Sequence, residues 1–123
     1  MITVLIADDN PMQRKMLTLS LSDDQDIVVK GEAETGEEVL RIIEENSFDV
    51  IILDVSLPKK SGIEVLKELR VKGKKIPVII VSSYSREDFE SAVLAMGAFA
   101  YLEKNDVPDK IIETVRASVP HKE

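Results

Sequence analysis

The hydrophobic positions of this chain follow two alternating periods, one typical of strands and one typical of helices. Short apolar runs rich in β-branched residues predict strands. The segments between them carry apolar residues three or four positions apart, as amphipathic helices do. Val50–Leu53 is apolar at every position, which is typical of a strand covered on both faces. Five strands are predicted: Ile2–Ala7, Ile27–Ala33, Val50–Leu53 with Asp54 at its end, Val78–Ser82 and Ala98–Leu102.

Five helices are predicted between and after these strands, and polar residues mark several of their first turns. Asn10 before Pro11 is a typical helix start. The pairs Thr35–Glu38 and Ser61–Glu64 have the spacing of capping boxes. The helices are predicted at Pro11–Leu21, after Thr35, after Ser61, between Ser85 and Gly97, and from about Asp106 to Val119 before Pro120. Their expected inward residues are Val39, Ile42, Ile43, Ile63, Leu66, Leu69, Phe89, Val93, Met96, Ile112, Val115 and Val119.

The alternation of strands and helices predicts both the fold class and the place of a site. Strand–helix–strand units favour parallel strands joined by right-handed crossovers, with helices on both faces of one sheet. We therefore predict a doubly wound α/β fold. Ligands of such sheets bind beyond the carboxyl ends of the strands. The residues that directly follow each strand are the candidates for chemistry.

Oxygen-bearing side chains end or follow three of the predicted strands, and a lysine follows another. Asp8 and Asp9 come after strand one, Asp54 ends strand three, Ser82 ends strand four, and Lys104 follows strand five. Taken singly, the acids after strand one would suit a helix start, and Asp54 would suit a turn. Gathered at one edge, the three carboxylates would repel one another unless a cation lay among them, and Mg²⁺ prefers such oxygen ligands. The pattern therefore favours a magnesium site.

Composition excludes several other classes of protein. The chain has 123 residues, of which 44% are hydrophobic and 32% charged, so one domain over residues 1–123 is expected. It has no cysteine and one histidine, His121, which disfavours thiolate metal sites and a Ser–His–Asp triad. The net charge of −7 disfavours direct nucleic-acid binding. Without a basic leader or an apolar run of ~20 residues, a cytoplasmic location away from the membrane is expected.

The chain resembles the receiver domains of two-component response regulators, including the single-domain chemotaxis type. The resemblance runs from Ile2 to about Ser118. It rests on four motifs that occur in order and at the spacing of the family. They are Val4-Leu5-Ile6-Ala7-Asp8-Asp9-Asn10, Asp54-Val55-Ser56-Leu57-Pro58 with Gly62 behind it, Pro77-Val78-Ile79-Ile80-Val81-Ser82-Ser83, and Gly97-Ala98 leading to Tyr101-Leu102-Glu103-Lys104.

The resemblance implies a fold and a reaction. The fold is a flavodoxin-like parallel sheet of strand order 2-1-3-4-5, with five helices on two faces. Asp54 would accept a phosphoryl group from a histidine kinase or a histidine phosphotransfer protein, so the chain would be a phosphoacceptor rather than an enzyme. The implied catalytic residues are Asp54, Lys104 and Ser82. The implied Mg²⁺ ligands are Asp8, Asp9, Asp54 and the backbone carbonyl of Ser56.

The resemblance also implies a conformational switch. Ser82 would move toward the phosphoryl group and Tyr101 would turn inward. The face made by helix four, strand five and helix five would then select a partner. Gln13, Arg14 and Leu17 of helix one are expected at a surface that meets the kinase. No output domain is expected within the chain. The cognate kinase, the downstream partner and a phosphorylation-dependent homodimer are left open.

Two positions depart from the family pattern. Proline commonly follows the lysine of the family, often with a cis bond, whereas this chain has Asn105. Because a cis bond before a non-proline residue costs ~2.5–4 kcal/mol, a trans peptide is expected. Tyr84 lies two residues beyond Ser82, where the family has the path of the hydrolytic water. A ring at this position predicts a long-lived aspartyl-phosphate.

Three other functions compete with the receiver interpretation. A pseudo-receiver would act by protein contact without phosphate, although all five expected functional side chains are present. A haloacid-dehalogenase-like phosphohydrolase needs a second aspartate two residues after its nucleophile, where this chain has Ser56 or Asn10. Flavodoxin-like mononucleotide binding needs a phosphate-cradling loop after strand one, where Asp8 and Asp9 would repel the phosphate.

Overall fold

The alternating segments form one five-stranded parallel sheet between two layers of helices. The computed structural model describes residues 1–119. The sheet order is β2-β1-β3-β4-β5, and every neighbouring pair is parallel, which confirms the expected flavodoxin-like order. The strands are β1 Ile2–Ala7, β2 Ile27–Ala33, β3 Val50–Asp54, β4 Val78–Ser82 and β5 Ala100–Glu103. The helices are α1 Pro11–Leu21, α2 Gly36–Glu45, α3 Gly62–Val71, α4 Arg86–Ala95 and α5 Val107–Ser118, with one 3₁₀ turn at Lys104–Asp106.

Two apolar cores seal the faces of the sheet. Successive strand residues point to opposite faces, so Leu5 packs with the residues of α2, α3 and α4, while Ile6 packs with those of α1 and α5. Every residue of β3 and β4 is buried. Because both faces are covered, a polar site can form at the carboxyl edge of the sheet, where the strands end and the loops begin.

The helix starts follow the predicted capping residues, with one difference. Asn10 accepts a hydrogen bond from the N–H of Met12 at 2.9 Å. The Ser61–Glu64 pair forms a full capping box, with bonds in both directions. At the start of α2, Thr35 accepts from the N–H of Glu38, but the Glu38 carboxylate accepts from the N–H of Glu34 instead of Thr35.

The inward faces of two helices differ from those expected. In α5 Ile111 has no exposure, like the expected Val115, whereas the expected Ile112, and Val119 just after the helix, are only partly buried. In α3 Leu66 and Leu69 are buried as expected, but Val65 is buried in place of the expected Ile63, which is only partly buried. In each case two apolar residues lie close together in the sequence. Periodicity cannot choose between such neighbours, because the packing of the whole helix sets its rotation about its axis.

Strand β5 begins two residues later than expected and ends one residue later. The N–H of Ala98 donates to the carbonyl of Val93, so Ala98 completes the end of α4. Gly97 before it has a φ of +102°, a left-handed conformation that glycine adopts without strain. The expected helix stop at Pro120, and His121, lie outside the described residues. No helix among residues 1–119 has the length and hydropathy to cross a bilayer.

Candidate functional site

Three carboxylates meet at the carboxyl edge of the sheet. Strand pairing sets Ala7 opposite Leu53, so the residues that follow, Asp8 and Asp54, end up side by side. Oxygen atoms of Asp8, Asp9 and Asp54 all lie within 4.8 Å of one another. Asp8 and Asp54 are buried, with 3% and 4% exposure, while Asp9 is exposed. The structure therefore brings together the three acids that the sequence placed at this edge.

Local backbone bonds hold the two buried carboxylates. The Asp8 Oδ1 accepts from the N–H of Asn10 at 2.9 Å, and the Asp54 Oδ1 accepts from the N–H of Ser56 at 3.0 Å. Gly62 permits the close return of the chain behind Asp54, because a Cβ at that position would collide with the Asp54 backbone carbonyl. The Ser56 of the expected metal carbonyl thus lies in the turn that supports the buried acid.

Lys104 provides the nearest positive charge to this cluster. Its Nζ lies 3.3 Å from the Oδ2 of Asp54 and 4.0 Å from the Oδ2 of Asp8. One ammonium lies within 4.0 Å of two of the three carboxylates, and a single positive charge does not balance three negative ones. Burial raises the pKa of Asp8 above its ordinary value, and the nearby Asp54 carboxylate raises it further.

The donor set fits a hard divalent cation. Carboxylate oxygens from three residues converge within the span of one coordination sphere. Mg²⁺ binds through a few carboxylates while keeping several waters. A cation here would also offset the repulsion that acts on Asp8.

Ser82 and Tyr101 are buried beside one loop, the segment Ser83–Ser85 between β4 and α4. Ser82 is 1% exposed, and its Oγ accepts from the N–H of Tyr84 at 3.0 Å. That bond uses the hydroxyl as an acceptor and leaves its hydrogen for a second partner. Tyr101 is 3% exposed and points inward, with its hydroxyl donating to the backbone carbonyl of Tyr84 at 2.7 Å. Both side chains therefore hold the same loop.

The Tyr84 ring packs toward α4. Its centroid lies 5.0 Å from that of Phe89, and the side chain remains about half exposed. The peptide between Lys104 and Asn105 is trans, as expected, since no bond among residues 1–119 is cis. Lys104 instead begins the 3₁₀ turn before α5, an element that the sequence patterns did not indicate.

The surface of α1 differs from the expected one. Leu17 is buried, and Arg14 donates to Glu32 and to the backbone carbonyl of Asp8, both at 2.7 Å. Arg14 thus supports the acidic loop, a role that sequence reasoning missed because one arginine in a helix carries no such signal. Gln13 lines a cavity of about 140 Å³ between α1 and α5 that reaches Asp8 and Lys104. The exposed apolar residues of α1 are Met12, Met16 and Leu19.

Comparison with known proteins agrees with this arrangement. The chain is 36% identical over 111 residues to the uncharacterized transcriptional regulatory protein YhcZ of Bacillus subtilis, covering 90% of this chain and 52% of that protein. It is 39% identical over 118 residues to a protein-glutamate methylesterase/protein-glutamine glutaminase of Halalkalibacterium halodurans, covering 94% of this chain and 34% of that protein. The chain therefore spans about half, or less, of these relatives.

Solved structures show the same fold over nearly the whole chain. The receiver domain of the Francisella response regulator 1452 superposes with a TM-score of 0.88 at 31% identity, over 95% of both chains. The response regulator domain of Thermotoga maritima CheB gives a TM-score of 0.87 at 28% identity, over 99% of this chain and 98% of that one. The family model of the response regulator receiver domain matches residues 4–116. This chain therefore belongs to the response regulator receiver domain family of two-component systems.

Proposed function

We propose that this receiver domain accepts a phosphoryl group on Asp54 in a Mg²⁺-dependent reaction, and that the modification changes the face formed by α4, β5 and α5. One observation carries the proposal. Asp54 is a buried carboxylate at the end of a central strand, in reach of two further carboxylates and of the Lys104 ammonium. A buried carboxylate with these neighbours is suited to accept a phosphoryl group, whereas an acid that only adds surface charge would be exposed.

The transfer step uses Asp54 as the nucleophile. An oxygen of its carboxylate forms a bond to phosphorus while the bond from phosphorus to the donor histidine nitrogen breaks. The bonding electrons stay on that nitrogen, and the imidazole leaves as a neutral ring because its other nitrogen carries a proton. The hydrogen bond from the Ser56 N–H fixes the Oδ1 and so orients the carboxyl group. Burial keeps competing water away from it.

Neighbouring residues stabilise the charge of the transferred group. Asp8, Asp9, Asp54 and the Ser56 carbonyl would hold Mg²⁺, which supplies positive charge opposite the phosphoryl oxygens. Lys104, now 3.3 Å from Asp54, would contact a phosphoryl oxygen as a point charge. Ser82 has a hydroxyl hydrogen to donate to another oxygen, provided that the loop after β4 moves toward the site.

The switch would act through the Ser83–Ser85 loop. A phosphoryl group adds up to about two negative charges and three acceptor oxygens, and Ser82 would follow them. Tyr84 accepts the Tyr101 hydroxyl bond and donates to Ser82, so a shift of Ser82 is transmitted to Tyr101. Tyr101 already lies inward in this structure, so the inward turn expected from the resemblance is not needed here. Phosphorylation would hold Tyr101 in that position and change the shape of the α4–β5–α5 face through the moved loop.

The partners follow from this chemistry. The donor would be a histidine kinase or a histidine phosphotransfer protein, since their phosphohistidine supplies the group. The receiver would pass the signal to a protein that reads the α4–β5–α5 face, or to an output domain such as the longer relatives have room for. The pseudo-receiver alternative gains no support from the site, because its acidic cluster and lysine are assembled.

Intact mass spectrometry after incubation with acetyl phosphate tests the proposal. The wild type should gain one phosphoryl group that requires Mg²⁺, survives acid and is removed by hydroxylamine. Asp54→Asn should gain none, while the matched control Asp23→Asn, an exposed position on the surface, should behave as wild type. An adduct on Asp54→Asn would contradict the assignment. A folded wild type that neither binds Mg²⁺ nor forms an adduct with acetyl phosphate or a phosphohistidine donor would favour the pseudo-receiver.

The lifetime of the aspartyl-phosphate is a separate proposal. The Tyr84 N–H donates to Ser82, while its half-exposed ring packs on Phe89 of α4. By resemblance to the family, the position of Tyr84 borders the path of the hydrolytic water, and we propose that the ring slows hydrolysis. Tyr84→Ala should hydrolyse the phosphoryl group faster than wild type, while Tyr84→Phe keeps the ring and should hydrolyse at the wild-type rate. Equal rates for wild type and Tyr84→Ala would sink the idea.

A further inference from the structure

Lys104 lies between two carboxylates of its own segment. Glu103 precedes it at the end of β5, and Asp106 ends the 3₁₀ turn that Lys104 begins. Lysine has a flexible four-carbon stem and a mobile point charge, so either acid is a potential partner for its ammonium. In the structure Lys104 instead points to Asp54. Glu103 and Asp106 are paired with another cation.

Arg86, the first residue of α4, occupies both of them. Its backbone N–H donates to the Oε2 of Glu103 at 3.0 Å, and its Nε lies 3.4 Å from the same oxygen. Its terminal nitrogen donates to the Oδ2 of Asp106 at 2.8 Å. The planar guanidinium with several fixed donors can bridge two acids in this way, whereas a lysine ammonium cannot reproduce the geometry. Glu90, at 4.0 Å, is the remaining acid that faces Arg86.

The position of this bridge matters as much as its charge. Glu103 pairs with Ser82 across the β4–β5 ladder, and Arg86 directly follows the Ser83–Ser85 loop. The bridge therefore joins the loop after β4 to the turn that carries Lys104. The family's common proline after the lysine is absent here, and Asn105 leaves the turn without its rigidity. The arginine bridge supplies a restraint at the same place.

We infer that Arg86 is a positioning residue: by holding Glu103 and Asp106 it keeps Lys104 directed at Asp54 and couples that lysine to the loop after β4. The inference rests on the proposed phosphoacceptor function and adds to it a residue outside the acidic cluster. Arg86 contacts neither Asp54 nor the other cluster acids in the structure. Its effect on phosphoryl uptake would act through Lys104.

The rate of phosphoryl uptake from acetyl phosphate, with Mg²⁺ present, gives the first test. Arg86→Met should lower it about three- to tenfold, the size of a coupling between neighbouring residues. The uptake rate of Arg86→Lys should lie between those of wild type and Arg86→Met. Glu103→Gln with Asp106→Asn removes the charges that compete for Lys104. The triple variant, which carries these two substitutions and Arg86→Met, should therefore take up phosphoryl groups faster than Arg86→Met alone and nearly as fast as wild type. A triple variant as slow as Arg86→Met alone would overturn the inference.

NMR signals of Lys104 distinguish a positioning role of Arg86 from a purely structural one. In NMR spectra the Hε–Cε signals of Lys104, assigned by their absence in Lys104→Met, should move in Arg86→Met and return in the triple variant. The free energy of unfolding of Arg86→Met, measured in urea, should stay close to that of wild type, because ion pairs as exposed as these contribute little stability. Unchanged Lys104 signals in Arg86→Met would overturn the inference even if the rate fell. If the wild type takes up no phosphoryl group, the proposed function fails, and the NMR comparison still decides the role of Arg86.

Discussion

The two ends of the sheet treat a carboxylate in opposite ways. At the amino end, the Asp49 Oδ2 accepts from the N–H of Thr3 at 2.8 Å and from its hydroxyl at 3.1 Å. The N–H of Asp49 donates back to the Thr3 hydroxyl at 3.1 Å. At the carboxyl end, Asp8 faces Asp54, and burial with that neighbour raises its pKa. One acid ties two strands together, while the other is held at a cost to the fold.

This contrast shows where stability and function separate in the molecule. A partly buried carboxylate that accepts hydrogen bonds across two strands, as Asp49 does, stabilises the fold. Like charges gathered at one place destabilise it. The sheet positions both ends with the same strands, β1 and β3. The amino end uses them to tie two strands together, and the carboxyl end uses them to hold three carboxylates that suit a cation.

Removing the amino-end carboxylate should give the largest effect. Asp49→Ala should lower the free energy of unfolding by about 2 kcal/mol, because it leaves the Thr3 donors without their acceptor. Urea unfolding followed by far-UV circular dichroism measures it. Asp23→Ala, an exposed acid, should stay within about 0.5 kcal/mol of wild type. Equal stability of the two variants would remove the contrast between the ends.

Removing the charge of the carboxyl-end acid should have the opposite sign. Without Mg²⁺, Asp8→Asn should raise the free energy of unfolding by about 1 kcal/mol, since an amide keeps the shape and relieves the repulsion from Asp54. The same variant should lose the stabilisation that Mg²⁺ gives the wild type. Asp9→Asn, at an exposed position, should leave the Mg²⁺-free stability near wild type. A less stable Asp8→Asn would contradict this account.

The raised pKa of Asp8 sets the direction of a pH dependence. The unfolded carboxyl titrates near 3.8 and the folded one higher, so the native state binds more protons between these two values. The contribution of Asp8 to stability therefore falls as pH rises through that window and stays low above it. The stability difference between Asp8→Asn and wild type should accordingly grow from ~pH 4 to ~pH 7 without Mg²⁺. A difference independent of pH would refute the assignment to Asp8.

The smallest expected effect concerns the loop behind Asp54. Lys59 has a φ of +68°, a left-handed conformation that is uncommon for a residue with a Cβ. Lys59→Gly should raise the free energy of unfolding by about 0.5 kcal/mol, and Lys59→Val should lower it, because a β-branched residue tolerates this φ poorly. Chemical denaturation of both variants checks the pair. The same sign for both would argue against strain in this loop.

Much of the fold could be read from residue patterns because each pattern has a local cause. The bounds of β1, β2, β4 and α1 match the predicted ones, since short apolar runs and an Asn–Pro start specify them. The rotation of α5 could not be read, because Ile111 and Ile112 are equally apolar and only packing against the sheet distinguishes them.

The candidate site divides in the same way. Asp8, Asp9, Asp54 and Lys104 could be placed together from strand order alone, because each follows or ends a strand at one edge of a parallel sheet. The bridge from Arg86 to Glu103 and Asp106 could not, since its members lie 17 and 20 positions apart in the sequence. Charged residues at such distances resemble any solvated surface. Only the folded backbone shows that they meet.

The bond between Tyr101 and the Tyr84 carbonyl has a practical consequence. The chain has two tyrosines and no tryptophan, and both tyrosines lie at the loop after β4, one buried and one half exposed. Near-ultraviolet absorption and intrinsic fluorescence above the phenylalanine range therefore arise from one ring in this loop and one ring on β5 that is hydrogen-bonded to it. The protein carries its own optical reporter at the element that is proposed to move, and no label needs to be attached to observe it.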